Sequence, residues 1–385
     1  MRPPFSISSI DPFLLFLMAT VAVASLLPVH GAAAIWFSVI ADLAIALLFF
    51  LHGAKLSRDA IIQGIGNWRL HLLVFGSTYL LFPTIGLASV ELAGGWIDPL
   101  LLSGLLYLTL LPSTVQSSIA FTAIAGGNVA AAVCSASLSN LIGIILTPLL
   151  VSQMMRVDGS GAQMSWHSIE SIVLQLLLPF LAGHLLRPLI GGLVARNKSI
   201  LQVVDRGSIL LVVYSAFSAA VVNGIWNILG WRDMLALGAL SVAILAMVMG
   251  VNVLAATLLR LPREDAIVLL FCGSKKSLVS GVPMAGALFA PASVGMIVLP
   301  LMIFHQLQLF VCAALAARFR RQIEAAEVEK SQRPALPRTE ADAVARAAEL
   351  GMTIPAACMP GVLANLALLD RHAERLFVQD DTACA

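Results

Sequence analysis

The sequence predicts an all-α membrane protein with ten transmembrane helices, and three observations carry that prediction. The first is composition. Of 385 residues, 59% are hydrophobic and 11% are charged, with a mean hydropathy of +0.94; soluble domains carry about 25% charge. The second is a train of apolar stretches long enough to cross a bilayer as helix. They fall at about 11–29, 33–53, 69–90, 99–111 continuing to 123, 128–151, 169–190, 207–224, 234–258, 265–289 and 292–317. The third is charge asymmetry. With the N-terminus cytoplasmic, thirteen Lys or Arg face inside: Arg2, Lys55, Arg58, Arg69, Arg187, Arg196, Lys198, Arg206, Arg260, Arg263, Arg318, Arg320 and Arg321. Only Arg156 and Arg232 face outside, as the positive-inside rule requires for a chain with both ends in the cytoplasm.

Taken in order, the first segment follows Arg2 without a convincing Ala-x-Ala site, so it reads as a span and not a cleavable leader. The second contains Asp42, read as interfacial. The fourth and ninth are interrupted. In the fourth, Leu110-Leu-Pro-Ser-Thr-Val-Gln-Ser-Ser-Ile-Ala120 places Pro112 where it removes a backbone donor and disfavours helix before it. Ser113, Thr114, Gln116, Ser117 and Ser118 follow, able to replace lost backbone partners or to bind solute. The fifth carries Cys134-Ser-Ala-Ser-Leu-Ser-Asn140, with Ser135 and Ser139 four apart on one helix face. Single Ser and Thr residues in membrane helices usually serve packing or helix-to-helix hydrogen bonds; their density here points to a cavity. At the cytoplasmic ends, Asp205-Arg206 and Glu264-Asp265 are expected to pair with nearby Arg. The five cysteines (134, 272, 312, 358, 384) form no CxxC pair, so free thiols and no metal site are expected.

The ninth segment holds Lys275 and Lys276 side by side, preceded by Gly273 and Ser274 and followed by Ser277, Gly281 and Pro283. A lysine at the bilayer centre costs about 3 kcal/mol on insertion scales. Two adjacent ones, about 100° apart on a helix, cannot share a face. The chain is therefore expected to unwind there into a polar cavity, one lysine facing solute and the other a carbonyl cluster or helix end. The plainer alternative is a pair snorkelling to the interface. The knot Thr114–Ser118 stands 160 residues before Ser274–Leu278, each in an apolar run near the end of a five-span block. Five is odd, so the two halves have opposite topology. Inverted repeats with paired broken helices place a substrate at the repeat interface. No carboxylate accompanies the lysines, and an electropositive cavity favours an anionic solute.

Several stretches then show a resemblance. Leu47-Leu-Phe-Phe-Leu-His-Gly-Ala-Lys-Leu56, the Pro112 to Ser118 crossover, Leu178-Pro-Phe-Leu-Ala-Gly-His-Leu-Leu-Arg-Pro188, Asp205-Arg-Gly-Ser-Ile-Leu-Leu-Val-Val-Tyr-Ser-Ala-Phe217 and Gly273-Ser-Lys-Lys-Ser277 resemble the SBF-like branch of the bile acid:sodium symporter superfamily over residues 11–321. The resemblance implies ten helices in two inverted five-helix repeats, a panel and a core domain, and crossing helices four and nine beside the substrate. Together with the polar residues themselves, this gives an expected substrate site at Lys275, Lys276, Ser274 and Ser277 as anion-facing groups, opposite Ser113, Thr114, Gln116, Ser117 and Ser118. The resemblance also implies an ion site at Ser117, Ser118, Ser135, Ser139 and Asn140. Sodium-coupled members use a Glu and a Gln in segment nine. Phe271 stands in place of that Glu, and Lys275 near the Gln, so little dependence on sodium is expected. No cofactor is implied beyond a coupling ion, Na+ or H+.

After the transporter-like part (1–321), residues 322–338 read as a charged, Pro-containing linker. Residues 339–385 read as a helical hairpin, opened by Thr339-Glu-Ala-Asp342 and striped by Val362, Leu366, Leu369 and Ala373. Glu349-Leu-Gly-Met-Thr-Ile-Pro and Met359-Pro-Gly-Val-Leu-Ala-Asn resemble the AtzG-like small subunits, similar to the GatC-type proteins that clasp amidase-signature hydrolases. The chain carries no amidase triad, and His372 reads as a solvated helix residue, so no enzyme activity is expected. Three functional readings follow. The first is a secondary transporter of a small organic anion in an inner or plasma membrane. The second is a membrane scaffold recruiting an amidase. The third is an arsenite-type efflux carrier using Cys272. The expected partners are the anion, the lipid bilayer and an amidase, with no nucleic acid.

Overall fold

The structure is a computed structural model and describes residues 12–55, 65–155, 166–228, 230–332 and 336–382. Arg2, Arg58, Arg156 and Cys384, named above, lie outside them, as does the Ala373 side chain. Among the described residues every regular element is a helix and none is a strand. The chain divides into two compact units, Met1–Arg320 and Arg321–Ala385.

The first unit contains α1 (Pro12–Leu26), α2 (Ala32–Lys55), α3 (Trp68–Ala93), α4 (Pro99–Thr109), α5 (Gln116–Ile124), α6 (Val129–Met154), α7 (Trp166–Arg196), α8 (Lys198–Val222), α9 (Trp231–Leu258), α10 (Arg263–Gly273) and α11 (Leu278–Leu288). It ends within α12 (Pro291–Gln332). Seven of the described helical stretches are long and apolar enough to cross a membrane: α2, α3, α6, α8, α9, α10 with α11, and α12. Leu15–Leu26, Pro99–Thr109 and Leu176–Gly192 are shorter apolar helices. Trp36, Leu43, Leu80, Leu185, Leu189 and Val203 stand exposed on this unit, apolar surface of the kind lipid covers. Asp42 is on an exposed face of α2. The α10–α11 stretch is the opposite case, almost entirely buried within the protein. Both lysines sit in the middle of it at 0% exposure, which excludes the snorkelling alternative.

Two groups of helices can be told apart by their packing. Helices α1, α2, α7 and α8 pack on one another, while α10 packs on α3, α5, α6 and α9. Contacts of α6 with α7 and of α11 with α8 join the groups. Helices α2 and α7 approach backbone to backbone, where Gly53 faces the Phe180 carbonyl and Gly183 faces the Phe50 carbonyl. Only a residue without Cβ admits backbones this near each other.

Helix α3 contains one π turn at Ser77–Leu81, as often happens at functional sites. Its consequence is local and specific. The Phe82 N–H bonds to the Ser77 carbonyl, and Pro83 has no N–H to offer, so the Thr78 carbonyl is released from the helix.

Where the sequence reads a linker at 322–338, α12 continues as helix to Gln332. The stretch Gln322-Ile-Glu-Ala-Ala-Glu-Val-Glu-Lys330 is mostly strong helix formers, and the first residue that forbids a helix is Pro334. In the second unit, α13 (Glu340–Glu349) begins at Thr339, whose Oγ1 accepts from the Asp342 N–H at 3.2 Å. Ala343 and Ala347 of α13 are buried, as is Met359 at the start of α14 (Met359–Thr382). Arg338 donates to Asp370 at 2.7 Å, and Arg346 pairs with Glu349.

Candidate functional site

Helices α4–α5 and α10–α11 each break in mid-run, and each break satisfies the backbone of the other. An α-helix ends with carbonyls that have no intrahelical donor, and in a membrane each must find one inside the protein. After α4, the Thr109 and Leu111 carbonyls accept from Lys276 Nζ at 2.8 and 2.7 Å. The Leu110 carbonyl accepts from Thr147 Oγ1 at 2.9 Å, and the Pro112 carbonyl from the Ser277 N–H at 2.9 Å. After α10 the donors are hydroxyls. Ser118 Oγ donates to the Phe271 carbonyl at 3.2 Å, Ser113 Oγ to that of Cys272 at 2.6 Å, and Ser77 Oγ to that of Gly273 at 2.8 Å. Asn252 Nδ2 donates to Ser274 Oγ at 2.9 Å. Gln308 clamps the second break by accepting from the Lys276 N–H and donating to its carbonyl, both at 2.8 Å.

The two lysines do different things. Lys276 Nζ has three carbonyl acceptors, those of Thr109, Leu111 and the released Thr78 at 2.8 Å. Three acceptors match the three donors of an ammonium. Its charge faces the negative end of the half-helix α4 and stands 4.2 Å from the Phe82 ring centroid. Lys275 has a looser setting: Nζ is 3.5 Å from Ser117 Oγ, 4.6 Å from the Phe121 ring centroid and 5.7 Å from that of Phe271. Phe271 also packs against Phe121 and Phe319, so an aromatic cluster fills the position aligned with the missing Glu.

A cavity of about 450 Å³ lies between the two helix groups. Phe13, Phe49, His52, Lys55, Phe180, Gln202, Asp205, Arg206 and Ile209 come from α1, α2, α7 and α8. The facing wall is Thr114, Gln116, Ser117, Ser137, Asn140, Ile144, Ser277, Ser280 and His305. Thus Thr114, Gln116, Ser117 and Ser277 of the expected substrate set reach the cavity. Lys275, Lys276, Ser274, Ser113 and Ser118 do not line it: Lys276, Ser113 and Ser118 are spent on backbone carbonyls, Ser274 on Asn252, and Lys275 on Ser117 and the aromatic cluster. Of the expected ion set, Ser135 Oγ lies 2.7 Å from His71 Nδ1, and Ser139 Oγ accepts from the Ser113 N–H at 3.1 Å. Asn140 Oδ1 accepts from Ser280 Oγ at 2.8 Å.

Residues 11–321 match the sequence pattern of the SBF-like CPA transporter family. The chain belongs to that family. Among its relatives, the "Putative symporter YfeH" of Escherichia coli is 54% identical over 321 residues, covering 83% of this chain and 96% of that protein. The uncharacterized protein PA2026 of Pseudomonas aeruginosa is 51% identical, covering 84% and 97%. Sodium/bile acid cotransporter 7 of Rattus norvegicus is 27% identical, covering 71% and 81%. Family and helices together make this an integral, multi-pass membrane protein of a transporter family. The hairpin beyond residue 321 lies outside the matched region.

Within this SBF-like protein, sequence reasoning missed the charged half of the cavity. Among the described residues Asp205 does not pair with an Arg: Lys55 of α2 holds it, while Arg206 turns over the Phe13 ring at 5.4 Å. Among the described residues Asp265 likewise pairs with no Arg and accepts from Asn67 Nδ2 at 2.7 Å and Asn128 Nδ2 at 3.1 Å. The amides win because Asn67 and Asn128 stand immediately before α3 and α6, two helices that pack on α10. Lys55 and Asp205 lie in stretches that carry the family resemblance, but 150 residues apart nothing in the sequence pairs them.

Proposed function

We propose that this SBF-like protein is a secondary transporter of a small organic anion, working by alternating access through ten spans in two inverted five-helix repeats. The observation that carries this reading is the reciprocal capping of two broken helices beside a cavity that is polar on one wall and cationic and apolar on the other. The four-helix group would act as panel and the broken-helix group as core, moving against each other across the cavity. Lys276 supplies a fixed positive charge at the crossing, where a mobile cation would otherwise neutralise the end of α4. Uptake is therefore expected to depend little on sodium.

The test is uptake of labelled organic anions into proteoliposomes. Saturable uptake is expected from the full chain, unchanged when potassium replaces sodium, and equal from a chain ending at Arg338. Uptake restricted to cations or neutral solutes overturns the reading. Uptake lost in potassium overturns the role given to Lys276.

The ten-span topology, with both ends cytoplasmic, has its own test. Reporter fusions after Ala33, Glu91, Asp158 and Ala290 are expected outside, and after Ser57, Asn197, Arg263 and Arg320 inside. Two reversed sites sink it.

A second reading, compatible with the first, is that the AtzG-like hairpin recruits an amidase-signature hydrolase. Val344, Leu350 and Leu369 of that unit are exposed, apolar surface that a clasped partner would cover. The arsenite reading gains nothing from the geometry: Cys272 is fully buried, its Sγ 3.9 Å from the Ala132 carbonyl, and it does not line the cavity.

A further inference from the structure

A second pocket, of about 600 Å³, opens where α2, α7 and α8 come together. Its polar groups are Lys55 at the end of α2, His184 and Arg187 of α7, Gln202 of α8 and, from the other helix group, Gln116. No Asp or Glu is among the described residues that line it. Lys55 is already neutralised by Asp205, so the charge this pocket offers comes from α7. His184 and Arg187 are three residues apart, on one face of the helix. Among the described residues neither makes a hydrogen bond or an ion pair, and both are half-buried. Burying a charge costs unless something pairs with it. His184 Nδ1 is shut in without a partner, which leaves Nε2 to meet a ligand. The depth of the pocket is equally specific. Helix α2 ends at Lys55, α8 begins at Lys198, and the apolar part of α7 runs from Leu176 to Gly192. The pocket therefore sits where these helices leave the apolar layer. On the flank of α7, Leu178, Leu181, Leu185 and Leu189 recur three and four residues apart and are all exposed, an apolar strip that lipid chains would cover.

We propose that this pocket seats the phosphate of an anionic phospholipid, held by Arg187 and His184, with the acyl chains lying along the leucine strip. A guanidinium fork matches two phosphate oxygens at once, and the imidazole donates to a third. Basic pockets between spans at a membrane surface recognise lipid headgroups by this chemistry. Gln202 and Gln116 offer both donors and acceptors to headgroup hydroxyls. A free phosphate shares the chemistry of the headgroup, but it has no use for a strip of exposed leucines beside the site. Because Gln116 belongs to α5 and the other lining groups to α2, α7 and α8, a headgroup seated here touches both helix groups and bears on their relative movement.

The experiment takes the full chain, stripped of lipid in a maltoside detergent, and follows its Tm as dioleoylphosphatidylglycerol, dioleoylphosphatidylcholine or glycerol phosphate is added. Phosphatidylglycerol is expected to raise the Tm. Phosphatidylcholine, the same phosphodiester with its charge cancelled, and glycerol phosphate, the headgroup chemistry without chains, are expected to do little at the same concentration. Arg187→Gln is expected to bind phosphatidylglycerol about tenfold more weakly, the size of one charge-assisted hydrogen bond. Arg196→Gln removes an exposed charge from the same helix outside the pocket and is expected to bind as the wild type does. Should the glutamine variant not fold, Arg187→Lys carries the test: it keeps the charge, loses the fork, and is expected to bind more weakly than the wild type. No stabilisation of the wild type by phosphatidylglycerol, or position 187 variants that bind it no worse than Arg196→Gln does, overturns the site. A shift from phosphatidylcholine as large as that from phosphatidylglycerol overturns the anionic class. A shift from glycerol phosphate as large as that from the lipid overturns the lipid and makes the pocket a site for soluble phosphates. None of these outcomes bears on the transporter reading, which uptake decides separately.

Discussion

Replacing Lys276 with methionine is expected to abolish the folded protein. Methionine fills much of the lysine volume but donates nothing, so the carbonyls of Thr78, Thr109 and Leu111 lose their donor together. Each buried carbonyl left unmatched costs about 1–3 kcal/mol, and a native state has only about 5–15 kcal/mol in reserve. The π turn of α3 and the end of α4 would both have to rearrange. Lys276→Arg is expected to fail as well, because a planar guanidinium fork cannot satisfy three carbonyls converging on one point. Lys275→Met makes the contrast. Its ammonium has one long contact and two aromatic faces, and a thioether sits well against rings. The measurement is monodisperse yield and Tm in detergent: collapse for Lys276→Met, near-normal values for Lys275→Met. Equal behaviour of the two variants would show that the carbonyl cluster does not hold the crossing together.

The α2–α7 contact is expected to be nearly as sensitive. A Cβ added at Gly53 would stand 1.9 Å from the Phe180 carbonyl oxygen, and one at Gly183 would stand 1.9 Å from that of Phe50. The obstructing atoms are backbone, so no side chain can turn aside and the helices themselves must separate. Overpacking of this kind costs about 1–3 kcal/mol or more. It also displaces the end of α2, which brings His52 and Lys55 to the cavity. Gly53→Ala is expected to lower the Tm and impair uptake together, and Gly53→Leu to prevent folding. Gly238→Ala and Gly250→Ala in α9 are the controls, since a Cβ there meets nothing within 4 Å; helix propensity alone favours alanine by up to about 1 kcal/mol. A Gly53→Ala variant as stable as those controls would show that the two helices are not in backbone contact.

Much of this was legible in the chain itself. Charge-poor composition and spanning apolar runs determined that the protein is helical and membrane-embedded, because a continuous apolar run of that length satisfies its own backbone in lipid as a helix, whereas barrel strands are short and alternate. Pro112 and the Gly273-Ser-Lys-Lys-Ser277 knot marked both broken segments, because proline withdraws a donor and adjacent lysines cannot face lipid. The continuation of α12 to Gln332 was missed because charge was read as linker where the residues are strong helix formers. The partners of Asp205 and Asp265 were also missed, since nearness in sequence to an Arg says nothing about which side chain a helix end meets.

What only the tertiary structure decided is the division of labour among the polar residues. The sequence supplied two lysines and a row of hydroxyls without saying which of them serve the backbone and which serve a solute. That depended on the release of the Thr78 carbonyl by a π turn 198 residues before Lys276, and on the crossing of two breaks that pair Ser113 with Cys272 and Ser277 with Pro112. The lysine pair, so conspicuous in sequence, does not line the cavity, while Lys55 and Asp205 came together in it from helices 150 residues apart. The physical reason is that a buried hydrogen-bonding group must be matched by whatever lies within about 3 Å of it, and that distance is fixed by packing alone.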